Sequence, residues 1–111
     1  MTRVVHVRKE PFDIYIGRAY AEFPESKWNN PFHVGFGGDR HTVIHKYWIH
    51  LQENPELLSA IAELRDKTLG CWCKPRDCHG DVLVALADNQ SLPDFIQDWE
   101  GFQQKYLQGL A

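Results

Sequence analysis

The sequence lacks any apolar run approaching the ~18 residues that a membrane-spanning helix needs. Its opening, MTRVVHVRKE, is too short and too polar for a signal peptide, so a cytoplasmic location is expected. There is no internal repeat and no low-complexity segment, which sets aside solenoids and disordered tails. There is no excess of base either. Twelve Lys+Arg stand against 15 Asp+Glu, a net charge of −3, so bulk electrostatics do not call for a nucleic-acid partner. Cysteines number three, all between Cys71 and Cys78. An odd count in a reducing compartment argues against a disulfide framework and directs attention to metal or thiol chemistry.

What is present is one domain's worth of chain, 111 residues with 43% hydrophobic and 13% aromatic content. Charge is unevenly spread. Residues 77–111 carry six acids and one base, whereas residues 1–76 carry eleven bases and nine acids, so an anion would meet the earlier part of the chain.

The β-branched RVVHV (Arg3–Val7) reads as a buried strand, and DIYIG (Asp13–Gly17) as a second. Residues 17–39 are rich in glycine and proline, and the aromatics Tyr20, Phe23, Trp28, Phe32 and Phe36 argue against disorder there. Asp39 reads as an N-cap for an amphipathic helix carrying Val43, Ile44, Tyr47, Trp48 and Leu51. Asn54-Pro55 opens another, with Asn54 capping and Leu57, Leu58, Ile61, Ala62 and Leu64 facing inward. DKTLGCW reads as a strand ending at Cys71–Cys73, GDVLVALAD as a helix, and LPDFIQDWEGFQQKYL as a last helix with Gly101 in its middle. This order predicts an α/β domain spanning 1–111, with a small, mostly parallel, Rossmann-like sheet and flanking helices.

The chemistry concentrates in GCWCKPRDCHGDVL, residues 70–83. Strand alternation would put Cys71 and Cys73 on one face and Trp72 in the core. A turn through Lys74-Pro75-Arg76-Asp77 then leads into a helix start at Cys78 or His79. Ligands of open α/β sheets sit at the carboxyl ends of the strands, and a helix start there suits phosphate. The same field lowers a thiol pKa. Three readings compete. Zinc would take Cys71, Cys73, Cys78 and His79, but C-x-C-x4-C-H is an unusual spacing, and the adjacent Cys78 and His79 are not expected to reach one ion. A ligand-facing site would use Cys78 as nucleophile or donor, His79 as base or orienting group and Asp81 as partner. In the third reading, Cys71 and Cys73 are small buried hydrophobes and Asp81 merely complements a helix dipole.

In the first half, Tyr15 and Arg18 (YIGR), Trp28 and Asn30 (SKWNNPF) and Arg40 (GFGGDR) are the candidate pocket residues, with Cys71 and Lys74 from the cysteine stretch. Arg18, Arg40 and Lys74 supply positive charge, Trp28 a wall, Asn30 a polar contact. GFGGDR matches neither G-x-G-x-x-G nor a P-loop, so it signals a hinge and an N-cap as readily as a phosphate loop. His6 reads as a strand residue, and His41, His45 and His50 as solvated or partly covered helix positions.

VVHVRKEPFDIYIGR, SKWNNPF, GDRHTVIHKYWIHL and KTLGCWCKPRDCHGDVLVALA together resemble domain of unknown function 4326, a family of small bacterial and phage proteins. The resemblance covers about residues 3–88 and leaves 89–111 as a C-terminal helical extension. Asn29 departs from it, standing where the family pattern has glycine. A phage origin would make the host cytoplasm the expected location. The cysteine stretch is also similar to the C-x-E…C-H-R stretch of domain of unknown function 488. There an acid stands at Cys73 and an arginine at Gly80. That likeness implies that Cys73 need not be a thiol, and favours a pocket lined by Cys71, Cys78 and His79.

The expectation is therefore a pocket for a nucleotide, nucleoside or other phosphate-bearing small molecule, with no required cofactor. The alternatives are a zinc-stabilised module that binds nucleic acid or protein, and a phage-type protein that sequesters a nucleotide without turnover.

Overall fold

A computed structural model of the chain describes residues 1–97. Its elements run β1 (Arg3–His6), β2 (Ile14–Tyr15), α1 (Arg40–Gln52), α2 (Pro55–Ser59), a 3-10 turn (Ile61–Leu64), β3 (Thr68–Cys71), α3 (His79–Ala87) and α4 (Asp94–Gln97). The helix expected over residues 92–107 is described only as α4, and the remainder of it lies outside the described residues.

The three strands form one parallel sheet in the order β1-β3-β2. This is the expected α/β arrangement, with fewer strands than the six of a dinucleotide-binding doubly wound sheet. β3 is central and reads TLGC, apolar or small except for its first residue, as a strand covered on both faces must. Val5 and Tyr15 both lie opposite Gly70 in register, so all three strands end at one edge. Gly70 is required by close approach, because a Cβ there would stand 2.7 Å from the Phe12 ring.

α1 begins where the sequence predicts. Asp39 is extended and its Oδ1 accepts the Thr42 N–H at 2.8 Å. Asn54 precedes α2 but does not cap it with its side chain, which donates back to the His50 carbonyl at 2.6 Å. A 13-residue helix ending just upstream leaves carbonyls without intrahelical partners, and the Asn54 amide satisfies one of them.

Ile16, Ile44, Tyr47, Leu51, Leu64, Leu69, Val82 and Leu83 form the core between the sheet, α1 and α3. Each such fully buried side chain contributes about 1.5–3 kcal/mol relative to exposure. The long stretch 17–39 is anchored at both ends. Phe23 packs on Phe12, Tyr15 and Trp72. Asn30 donates to Val43 O at 3.1 Å and accepts from Phe32 N at 3.0 Å, tying the stretch to α1. No helix among the described residues is long and apolar enough to cross a membrane.

Candidate functional site

Parallel pairing brings the ends of β2 and β3 to one edge, and the starts of α1 and α3 return to it. A cavity of about 580 Å³ opens there. Tyr15, Gly17 and Arg18 line it from β2, Asn30 to Val34 in part from the long loop, Arg40 and Val43 from α1, and Cys71 to Cys73, Asp77, Cys78 and His79 from the cysteine stretch.

Three expected pocket residues are not on this wall. Trp28 is 2% exposed and belongs to the core. Lys74 donates to Asp81 Oδ1 at 2.5 Å, and Asp81 Oδ2 accepts the Cys78 N–H at 3.0 Å. Asp81 therefore caps α3 and anchors the preceding turn. Burial works against the Lys74 ammonium, but its hydrogen bond to Asp81 and the attraction of Cys78, Asp81 and Cys71 together outweigh this and hold the pKa above the ordinary value.

Trp72 replaces Trp28 on the wall, against the expectation that it packs in the core. β3 stops at Cys71, so Trp72 lies beyond the strand, where alternation no longer governs direction. It is half-buried, donates to Tyr15 Oη at 2.9 Å, and meets Tyr20 edge-on at 5.1 Å between centroids. Tyr15 Oη in turn donates to Arg18 O at 2.5 Å, so that hydroxyl is committed to the chain. The Asn30 amide is likewise occupied at both ends by backbone.

Two guanidiniums reach the cavity. Arg18 is exposed and lies against the His33 ring. Arg40, first residue of α1, donates to Asp77 O at 3.1 Å, and the neighbouring His41 Nε2 contacts Asp77 Oδ2 at 2.9 Å. Together these clamp the turn before α3 to the start of α1. His33, Tyr20 and Trp72 were not legible as cavity residues. His33 had the signal of adjoining the SKWNNPF stretch, while Trp72 was misdirected by the strand assumption.

The floor is formed by the cysteines and His79. Cys78 is extended (φ −148°, ψ 169°) and His79 is the first helical residue. That change of backbone conformation turns two consecutive side chains toward one point. The ligand atoms of Cys71, Cys78 and His79 lie within 4.8 Å of one another, and all three residues are buried. The expectation that adjacent Cys78 and His79 cannot converge is thus overturned. Cys73 is outside this set, past the end of β3 and half-buried.

His79 Nε2 lies 2.8 Å from the Ile16 carbonyl, which only accepts, so Nε2 carries the proton and Nδ1 keeps its lone pair. Burial pushes the His79 pKa down to about 4, against the pull of the Ile16 carbonyl. A hydrogen bond with Cys73 draws the Cys71 thiol down, but its hydrogen bond with Cys78 and burial prevail and push it up to about 12. The Cys73 thiol is raised too, by its hydrogen bond with Cys71 and by burial. Cys71 and Cys73 are therefore protonated at neutral pH, because burial and the hydrogen bonds among the thiols disfavour the charged form.

Fold and site define a small α/β domain with a ligand-sized cavity at the carboxyl edge of a parallel sheet. The chain matches the family Domain of unknown function (DUF4326) over residues 2–89 and belongs to it. It is 38% identical over 86 residues to Uncharacterized protein R718 of Acanthamoeba polyphaga mimivirus, covering 67% of this chain and 65% of that protein. It is 34% identical over 100 residues to the Uncharacterized 12.4 kDa protein in nrdA-td intergenic region of Enterobacteria phage T4, covering 86% of this chain and 85% of that one. No solved structure matches it.

Proposed function

We propose that the domain binds a nucleotide, nucleoside or other phosphate-bearing small molecule in this cavity. The observation that carries the reading is the meeting of Arg18, Arg40 and the first turn of α3 at one concave site of about 580 Å³. Helix starts present N–H groups without intrahelical partners and a partial positive charge, which favour phosphate. Guanidiniums add bidentate donors. Tyr20, Phe32 and Trp72 supply aromatic surface on the same wall, suited to a base or sugar. Cys78 and His79 lie on the floor, and in this reading they orient the bound molecule or act on it.

The test is a thermal-shift and calorimetric screen of nucleotides, nucleosides and phosphosugars, with product analysis of the same mixtures. A stabilising ligand is expected, weakened at least tenfold in Arg18→Ala and in Arg40→Ala. An empty screen, or a ligand indifferent to both arginines, refutes the reading. Binding without product would identify a sequestering protein.

A second reading is a zinc-stabilised module that binds nucleic acid or protein, favoured by the convergence of Cys71, Cys78 and His79. It requires that chelator unfold the domain and that nucleic-acid binding weaken steeply with salt.

A further inference from the structure

The cavity floor combines two features that the phosphate reading leaves separate. One is a set of soft and borderline donors. The sulfurs of Cys71 and Cys78 and a ring nitrogen of His79 come from a strand end and a helix start, and lie within 4.8 Å of one another. A tetrahedral zinc ion with bonds of about 2.3 Å to sulfur and about 2.0–2.1 Å to nitrogen needs donors about 3.5–3.8 Å apart. The donors must draw in by about 1.3 Å at most. The His79 ring is already oriented, because Nε2 donates to the Ile16 carbonyl at 2.8 Å, so that Nδ1 is the nitrogen with a lone pair to offer a metal. Metal-binding histidines characteristically have such an outer-shell acceptor.

The other feature is access. All three residues line the cavity, although each is at most 7% exposed. Structural zinc sites close around four protein ligands, whereas sites that take a substrate or water keep three and an open position. Cys73, the remaining thiol, is not part of the convergent set.

We propose that Cys71, Cys78 and His79 form a Cys2His centre for zinc or a similar divalent transition ion, with its fourth position open to the cavity. Metal binding releases the two thiol protons to solvent and gives a centre of zero net charge. An oxygen of water or of the bound small molecule completes the shell. Only this last element rests on the ligand reading above; the metal centre stands without it.

The full chain, purified without chelator, is expected to carry about one equivalent of metal. After reconstitution with cobalt(II) it should show sulfur-to-cobalt charge transfer from two thiolates and tetrahedral d–d bands that move when azide or inorganic phosphate is added. His79→Gln and Cys78→Ser should each weaken cobalt binding by about tenfold or more. Cys73→Ser removes a thiol hydrogen-bonded to Cys71 but none of the three donors, and should still bind cobalt with the two-thiolate charge transfer. Metal content below about a tenth of an equivalent with no charge transfer on cobalt addition overturns the centre. Loss of metal in Cys73→Ser, a three-thiolate spectrum, or bands unmoved by azide overturns the open position. An empty nucleotide screen with the cobalt spectrum intact would remove the phosphate reading and leave the metal centre standing.

Discussion

Replacing Asp81 tests whether this carboxylate holds the cavity floor in place. Its Oδ2 accepts the N–H of Cys78, the residue that begins α3, at 3.0 Å. A cap of this kind is worth about 1 kcal/mol. Its Oδ1 accepts from Lys74 at 2.5 Å, with side-chain exposures of 23% for Lys74 and 25% for Asp81. Both are shielded enough that the pair is only partly screened, and hydrogen bonds to charged groups contribute about 1.5–3 kcal/mol. Asp81→Ala should therefore cost about 3 kcal/mol, because it removes both bonds and strands a half-buried ammonium. Asp81→Asn retains an acceptor for the cap and should cost about half as much. At about 4 °C per kcal/mol for a domain of this size, the Tm should fall by about 12 °C for the alanine variant. Urea unfolding followed by tryptophan fluorescence measures both variants, and a cycle with Lys74→Met isolates the pair. An Asp81→Ala variant within about 0.5 kcal/mol of wild type would refute this account of Asp81.

Other outcomes follow from the same geometry. A Cβ at Gly80 would stand 2.8 Å from both Ile16 Cδ1 and Val4 Cγ2, and Val4 is too stiff to yield. Overpacking of about 1–3 kcal/mol should exceed the gain in helix propensity of about 1 kcal/mol. Gly80→Ala should therefore lose about 1 kcal/mol in urea unfolding and regain part of it with Val4→Ala; stabilisation would contradict this. Tyr47→Phe removes a buried bond to the Trp28 carbonyl of 2.8 Å and should cost about 1–1.5 kcal/mol, a loss absent if that bond does not form. The Thr2 hydroxyl and N–H hold the Asp88 carboxyl below its ordinary pKa of 3.8. The resulting stabilisation is present above that value and is lost as pH falls below it. In Thr2→Val a carboxyl-carbon NMR titration should show the Asp88 pKa rising toward the ordinary value and a shallower acid limb of stability. An unmoved titration would reject the link.

Local signals made much of the fold legible. Asp39 before Arg40 announced a helix start, because a short carboxylate can reach an N–H three residues on, and Thr42 supplies it. TLGC announced a covered strand through its composition, and β-branched residues marked β1. Asn54 was misread because the same side chain can cap forward or bond backward, and position alone does not choose. His45 was expected to be at least partly solvated, yet it is 5% exposed, since the packing of Phe95 beside it is not encoded in helix period.

The candidate site divides along the same line. That Cys71, Cys78 and His79 line one pocket was implied by the likeness to domain of unknown function 488, but the convergence of the adjacent Cys78 and His79 was not expected from the sequence. Which residues face them was not legible either. Arg18 and Arg40 join them through pairings of β2 and β3 and through α1 packing against α3, contacts between residues tens of positions apart. Trp72 took the place assigned to Trp28 because the strand ended one residue earlier than alternation assumed. The sequence by itself determined which elements form, where most of them begin, and which side chains carry chemistry, because these depend on neighbours within a turn or a strand. Only the tertiary structure decided that Asp81 is a cap, that the Tyr15 hydroxyl and the Asn30 amide are committed to the chain, and that three donors converge at a cavity. Those outcomes depend on which distant groups compete for each hydrogen bond and each volume once the core has closed.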